Sequence, residues 1–258
     1  MADVLCVRQE GSRLDVVLNR PQVHNALNPE LLAALTEAFR QAAEEQDVRY
    51  VVLSAEGPSF CAGADLEWMR QAVTSSFEEN QQDAARVFTM LEAVVRCPKP
   101  VVARVHGPAL GGGVGLVAAC DLAVATPAAT FRLTEVRLGL IPAMILPFLL
   151  RRVHHAALPW AILTASRFSA ARALEIGLVH AVADEPDRVV AEWGEAFLAA
   201  GPRALAEAKR LLSTLPLLSW EQAREEAVRS IAAARLSPEG QEGMRAFLER
   251  RKPAWSAP

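Results

Sequence analysis

The chain alternates strand-like and helix-like segments over its first two-thirds and then turns almost wholly helical. That pattern restricts it to an α/β core carrying a helical region. Residues 4–8 and 14–18 are β-rich runs either side of Gly11-Ser12, which predicts a hairpin. Asn28-Pro29-Glu30 reads as a helix start, with asparagine at the cap, proline in the first helical position and an acid in the first turn. Leu31, Leu35, Ala38 and Ala42 follow at helical spacing, and residues 48–53 predict a buried strand. A long amphipathic helix is expected from about 77 to 95, ending at Cys97-Pro98-Lys99-Pro100. Next come a strand at 101–105, a helix at 111–119, and short strands at 122–125 and 130–133. No strand is expected beyond Phe168. Ser169 caps a helix to Ile176, stopped by Gly177, and residues 195–251 are helical with breaks near Gly201-Pro202, 214–219 and Ser237-Pro238. The expected division is a core over 1–195 and a helical region over 196–258.

Composition removes several function classes. Lys+Arg is 27 against Asp+Glu 30, a net charge of −3, so there is no electrostatic footprint for nucleic acid, and the short basic runs Arg151-Arg152 and Arg250-Arg251-Lys252 read as solvated helix ends. The longest uncharged apolar runs, 105–120 and 138–150, contain proline and fall short of the roughly 20 residues a spanning helix needs, so no membrane span is expected. The opening MADVLCVRQE lacks a basic run followed by an apolar stretch, and no secretory leader is expected. Cys6, Cys61, Cys97 and Cys120 form no C-x-x-C pair. They read as reduced thiols of a cytoplasmic protein, with no metal site.

Three stretches carry chemistry. In Ser59-Phe60-Cys61-Ala62-Gly63-Ala64-Asp65-Leu66 a strand runs through small residues into a helix. Close approach of a ligand to the backbone, and unpartnered N–H groups at the helix start, suit a developing negative charge; a tight turn capped by Asp65 is the plainer alternative. Gly107-Pro108-Ala109-Leu110-Gly111-Gly112-Gly113-Val114-Gly115 concentrates glycine where a helix begins. Either a second N–H is exposed to complete a two-donor oxyanion hole, or the glycines permit close packing on a strand. Gly113-x-Gly115-x-x-Ala118 also fits a dinucleotide fingerprint, but it does not come straight off a strand, and no dinucleotide is expected. Third, Glu135 follows a short strand among apolar residues. There it is suited to proton exchange near neutral pH, unless it merely pairs with Arg132 or Arg137. No G-x-S-x-G elbow is present, and His154-His155 lacks metalloprotease spacing.

In order and spacing these stretches resemble the enoyl-CoA hydratase/isomerase (crotonase) family over nearly the whole chain. The likeness begins at Asn19-Arg20-Pro21 and His24-Asn25-Ala26-Leu27 and passes through both glycine-containing loops to Glu135-Val136-Arg137-Leu138-Gly139-Leu140-Ile141-Pro142. It ends at Glu242-Gly243-Met244-Arg245-Ala246-Phe247 and the following basic residues. The resemblance implies a spiral of ββα units with helical C-terminal oligomer contacts, as a homotrimer or a hexamer made of two trimers. It implies an acyl-CoA substrate, no separate cofactor, and a thioester oxygen held by the N–H groups of Ala64 and Gly112. By the same resemblance Ala62, Ala64, Asp65, Leu66, Glu67 and Gly112 line the coenzyme A path, and Lys252 lies near its phosphates. Glu135 matches one of two family glutamates, whereas the other position is Gly115, and the family's Gly-Gly-Thr-Gln stretch is replaced by Ala143-Met144-Ile145-Leu146-Pro147-Phe148. Two enzymatic readings follow. One is hydration by a single-glutamate member resembling the methylglutaconyl-CoA hydratases, towards which the motifs lean. The other is Δ3,Δ2-isomerisation by one shuttling base. A non-catalytic acyl-CoA-binding protein is the reading from another class.

Overall fold

Consecutive residues of a strand point to opposite faces, and in the central strands of this protein both faces are apolar. Val51, Leu53, Val101, Ala103 and Val105 enter the main core, while Tyr50, Val52, Val102 and Val124 form a smaller core on the other face. The computed structural model describes residues 3–256. Among these, the strands are β1 (Leu5–Glu10), β2 (Arg13–Leu18), β3 (Tyr50–Ala55), β4 (Val101–Val105), β5 (Ala109–Leu110), β6 (Leu122–Ala125), β7 (Thr130–Arg132), β8 (Phe168–Ser169) and β9 (Ala181–Val182). The helices are α1 (Pro29–Glu44), α2 (Leu66–Thr74), α3 (Phe77–Arg96), α4 (Gly112–Ala119), α5 (Leu146–Arg152), α6 (Leu158–Thr164), α7 (Ala170–Glu175), α8 (Pro186–Ala199), α9 (Pro202–Thr214), α10 (Trp220–Leu236) and α11 (Pro238–Leu248).

Six strands form one sheet in the order β1-β2-β3-β4-β6-β9, antiparallel at β1/β2 and parallel thereafter. Three form a small sheet, β5-β7-β8, parallel at β5/β7 and antiparallel at β7/β8. From β4 onward the chain passes back and forth between the two sheets. This alternation, with helices on the return paths, produces the expected α/β spiral. The hairpin forms at Gly11, whose φ of +57° suits glycine. The Asn28 side chain caps α1 by accepting the Leu31 N–H at 2.9 Å.

Strands do not stop at Phe168. β9 pairs in parallel with β6, held by the His180 N–H donating to the Ala123 carbonyl (2.7 Å) and the Ala183 N–H to Ala125 (3.0 Å). Two residues are too few to carry a periodicity, so this strand is set by its partner rather than by its own sequence. β3 starts two residues later than expected. The division at 195/196 falls inside α8, which packs on β3, β4 and β6 and supplies Val190 to the smaller core.

Helix α4 is apolar on every side, and everything from Gly113 to Ala119 is buried, the pattern of a helix inside a core rather than on its surface. Its position matters because its N-terminus opens on the candidate site. At its other end Asp121 anchors the helical region: the Lys209 ammonium of α9 lies 2.6 Å from Asp121 Oδ2 and donates to the Lys99 carbonyl at 3.0 Å. Asp121 Oδ2 also accepts the Val101 N–H at 2.7 Å. Lys209→Met strands this carboxylate. It is expected to cost about 2 kcal/mol, read as a lowered urea midpoint, with Asp121→Asn/Lys209→Met losing less than the sum of the single variants.

Candidate active site

The loop over 59–65 is held from both sides by backbone hydrogen bonds. On one side the Ala62 N–H donates to the His24 carbonyl (3.0 Å), Leu27 N–H to Gly63 (2.7 Å) and Asp65 N–H to Leu27 (2.9 Å). On the other, Leu110 N–H donates to Cys61 (2.9 Å), and the Phe60 and Cys61 N–H groups to Pro108 (3.0 and 3.1 Å). Parallel bridges Leu27–Ala64 and Cys61–Ala109 record the same register. The two loops touch at glycine: a Cβ on Gly63, whose φ is +87°, would lie 3.0 Å from the Leu110 carbonyl oxygen and 3.8 Å from the Gly112 nitrogen. Among the described residues, neither the Ala64 nor the Gly112 N–H donates to a backbone carbonyl, and no side chain caps α4. Ala64 is exposed and Gly112 half-buried. Close packing explains a neighbouring glycine, because a Cβ on Gly113 would sit 2.5 Å from the Cys61 carbonyl oxygen.

Sequence reasoning missed the scaffold beneath this loop. Asn25 is fully buried; its Nδ2 donates to the Glu56 and Ser59 carbonyls (2.8 and 2.9 Å), and its Oδ1 accepts the Arg20 N–H at 2.8 Å. His24 and Asn25 both adopt positive φ, +53° and +55°, and His24 Nδ1 lies 2.9 Å from Ser59 Oγ. Arg20 donates to the Ala26 carbonyl and to Asp65 Oδ2, the latter at 2.9 Å. Asp65 in turn caps α2 by accepting the Glu67 N–H at 2.9 Å. Burial pushes the Asp65 carboxyl up, but the Glu67 N–H and the Arg20 guanidinium outweigh it and hold it below the usual aspartate range. The available signal was a polar, proline-containing segment, Asn19 to Asn25, between the apolar runs of β2 and α1.

Glu135 opens a single 3-10 turn, Glu135–Leu138, separated from β7 by Leu133 and Thr134. Its Oε1 lies 3.1 Å from where a Cβ on Gly111 would be, so the carboxylate stands over the first residue of the glycine run. The Arg132 Nε donates instead to the Ala165 carbonyl at 2.7 Å, and Glu135 Oε2 is buried with no hydrogen-bond partner among the described residues. Burial pushes the Glu135 carboxyl up, partly offset by the backbone N–H groups of Glu135 and Thr134. Buried atoms without a partner are uncommon, and among the described residues Arg49 Nε, His106 Nδ1 and Thr130 Oγ1 share this condition.

Gly115, one turn further along α4, has no room for a side chain: a Cβ there would be 2.3 Å from Ile145 Cγ2. Ala62, Asp65, Leu66 and Glu67 follow the loop outward, with Leu66 72% exposed and Glu67 paired to Arg70 at 2.9 Å. Lys252 is exposed near the chain end, where its carbonyl accepts from Arg251 (3.2 Å), and among the described residues no hydrogen bond or ion pair brings it to the loops. Cys61 and Cys120 are buried, and their thiols are pushed up to about 12 by that burial, which leaves them inert. Among the described residues no cluster of ligating side chains could hold a metal ion, and no helix is long and apolar enough to cross a membrane.

The candidate site thus brings together two touching loops whose Ala64 and Gly112 N–H groups donate to no backbone carbonyl, and a carboxylate over Gly111 whose proton affinity is raised by burial. Residues 8–258 match the enoyl-CoA hydratase/isomerase family, and the chain belongs to it. Its structure is similar to that of an enoyl-CoA hydratase from Shewanella pealeana (TM-score 0.94, 35% identity, covering 98% of this chain and 96% of that one). It is likewise similar to an enoyl-CoA hydratase from Mycobacterium smegmatis (TM-score 0.92, 38% identity, 98% and 99% covered). Enoyl-CoA hydratase EchA19 of Mycobacterium tuberculosis is 31% identical over 251 residues, 96% of this chain and 94% of that protein. The fold is therefore the crotonase fold.

Asp65 makes a testable contribution to stability. Because its folded-state carboxyl lies below its unfolded value, the stabilisation is complete above the ordinary aspartate range and is lost as pH falls through the lowered value. Asp65→Asn is expected to cost about 2 kcal/mol at neutral pH. Urea midpoints from about pH 6 down to about pH 2 should show wild type converging on the variant.

Proposed function

We propose that this protein adds water across the double bond of an enoyl-CoA thioester, with Glu135 as its single acid–base group. The observation that carries the reading is the buried, unpartnered Oε2 of Glu135, whose carboxylate stands over Gly111 at the mouth of α4. The N–H groups of Ala64 and Gly112 receive the thioester oxygen. Glu135 takes a proton from water as the water oxygen bonds to the β-carbon. The π electrons move onto the thioester oxygen, and the resulting enolate is stabilised by the two donors, each worth about 3–4 kcal/mol in such a site. Glu135 then returns its proton to the α-carbon, and the thioester carbonyl re-forms. The same carboxylate serves as base and then acid, and the hydratase names of the relatives support the choice of hydration. Coenzyme A enters as part of the substrate, along Ala62, Ala64, Asp65, Leu66, Glu67 and Gly112 with Lys252 towards its phosphates, and no separate cofactor is drawn on. The assembly is a homotrimer or a pair of trimers, in the cytoplasm.

A second reading is favoured by one observation. The place of a second carboxylate, above Gly115, is filled by Ile145. Glu135 alone can remove a proton from C2 of a 3-enoyl-CoA and deliver it to C4, moving the double bond without water.

Mass spectrometry separates the two, because hydration adds the mass of one water and isomerisation leaves mass unchanged. Crotonyl-CoA, 3-methylglutaconyl-CoA and a 3-enoyl-CoA form the panel. Hydration of either conjugated substrate is expected; no mass gain with any substrate, alongside conversion of the 3-enoyl-CoA, selects isomerisation. Glu135→Gln should lower kcat by about 10²–10⁴-fold with the fold intact. As the base form is required, kcat/KM should fall as pH drops through a Glu135 value above the ordinary glutamate range.

A further inference from the structure

Helix α9 lies across from α3 and α5 without packing closely on either. Among the described residues its polar links to them are Lys209 Nζ donating to the Val94 carbonyl (3.4 Å) and Arg151 Nη2 donating to Ser213 Oγ (2.7 Å). Between the three helices runs a cavity of about 900 Å³. Protein interiors are otherwise close-packed, and this volume is in the range of small-molecule sites. Its wall is apolar, with Val95 from α3, Phe148 from α5 and Ala206 from α9. The rings of Phe88 and Phe148 meet at 5.4 Å. Phe88 and Leu150, both on the wall, are 36% and 41% exposed, so apolar surface faces water here.

Charge around the wall is not balanced. Each lining carboxylate is already neutralised, Glu92 by Arg96 and Glu207 by Arg210, and the Lys209 ammonium is held by Asp121. Arg151 and Arg203 also line the cavity, and among the described residues neither has a carboxylate partner. Arg203 stands in the first turn of α9 and Ser213 in its last, about 15 Å apart along the axis, so one anion does not meet both arginines. Arg151 is the one whose place is set, by Ser213, and its remaining donors form the fork that fits a carboxylate.

We propose that this seam is a binding site for a long-chain carboxylate, with the chain against Phe88, Val95 and Phe148 and the head group on the Arg151 guanidinium. None of Ala64, Gly112 and Glu135 lines the cavity, so the site is separate from the candidate active site and stands whether or not the proposed function does.

The test titrates wild type, Arg151→Gln and Leu150→Asp with cis-parinaric acid, a fluorescent long-chain carboxylate, and displaces it with dodecanoate, dodecan-1-ol or acetate. Both substitutions fall at exposed positions, and circular dichroism checks the fold of each variant. Dodecanoate is expected to displace the probe from wild type, dodecan-1-ol about tenfold more weakly, and acetate not at all. Arg151→Gln should weaken dodecanoate about tenfold and leave dodecan-1-ol unchanged. Leu150→Asp should weaken both, because it sets a charge in the apolar wall. Should Leu150→Asp not fold, Phe88→Ser takes its place. Equal displacement by dodecanoate and dodecan-1-ol overturns the carboxylate. Wild-type affinity in the variants places the probe elsewhere, the candidate active site included, and overturns the site. If a second copy of the chain covers the seam instead, wild type binds no probe and Leu150→Asp lowers the mass read by light scattering; that result also overturns the proposal.

Discussion

The candidate site depends on a loop that is neither strand nor helix yet is hydrogen-bonded like the middle strand of a sheet. Residues 59–65 sit between 24–27 on one side and 108–110 on the other, and each side supplies three backbone bonds. Among the described residues this lacing engages the N–H groups of Phe60, Cys61, Ala62 and Asp65, while those of Ser59, Gly63 and Ala64 donate to no backbone carbonyl. It also sets Gly63 against the Leu110 carbonyl, so the two loops cannot separate without breaking several bonds together. Side chains add to this hold, since Asn25 Nδ2 donates to the Ser59 carbonyl and the Arg20 guanidinium to Asp65, so the loop is fixed by backbone and side-chain bonds together.

Electrostatics around the loop divide by environment. Asp65 is held by a guanidinium and a helix N-terminus, which keep its proton affinity low, and it serves as structure. Glu135 has no guanidinium partner among the described residues and is half-buried, so its affinity for a proton rises, partly offset by the backbone N–H groups of Glu135 and Thr134. The two carboxyl groups are thereby pushed in opposite directions, that of Asp65 down and that of Glu135 up.

The alternation of strands and helices was legible because both-faced burial in β3 and β4 leaves runs of valine, and because the caps at Asn28, Asp65 and Ser169 are local chemistry. Glu135 and the two glycine-containing loops were legible for a similar reason, as local departures from packing composition. What was not legible depended on partners distant in the chain. β9 exists through its pairing with β6, about 57 residues away as His180 bonds Ala123. Arg20 reaches Asp65 across 45 residues, and Asn25 reaches Ser59 across 34. Ile145 was visible as a departure into apolar residues, but its meeting with Gly115 required α5 to be seen lying across α4. The placement of Lys252 away from any bond to the loops was equally invisible in its short basic run.

The large sheet has a further consequence. Its first five strands stand side by side in the order β1-β2-β3-β4-β6, so each new strand finds its neighbour already made, and the missing β5 has gone to the small sheet. A chain emerging residue by residue from the ribosome can extend this sheet in the order of synthesis, without waiting for a distant partner. Only β9 closes the far edge, and it does so after the strands of the small sheet have been laid down. The strand order thus leaves open a route in which the loops that meet at α4 come together before the helical region that follows them is made.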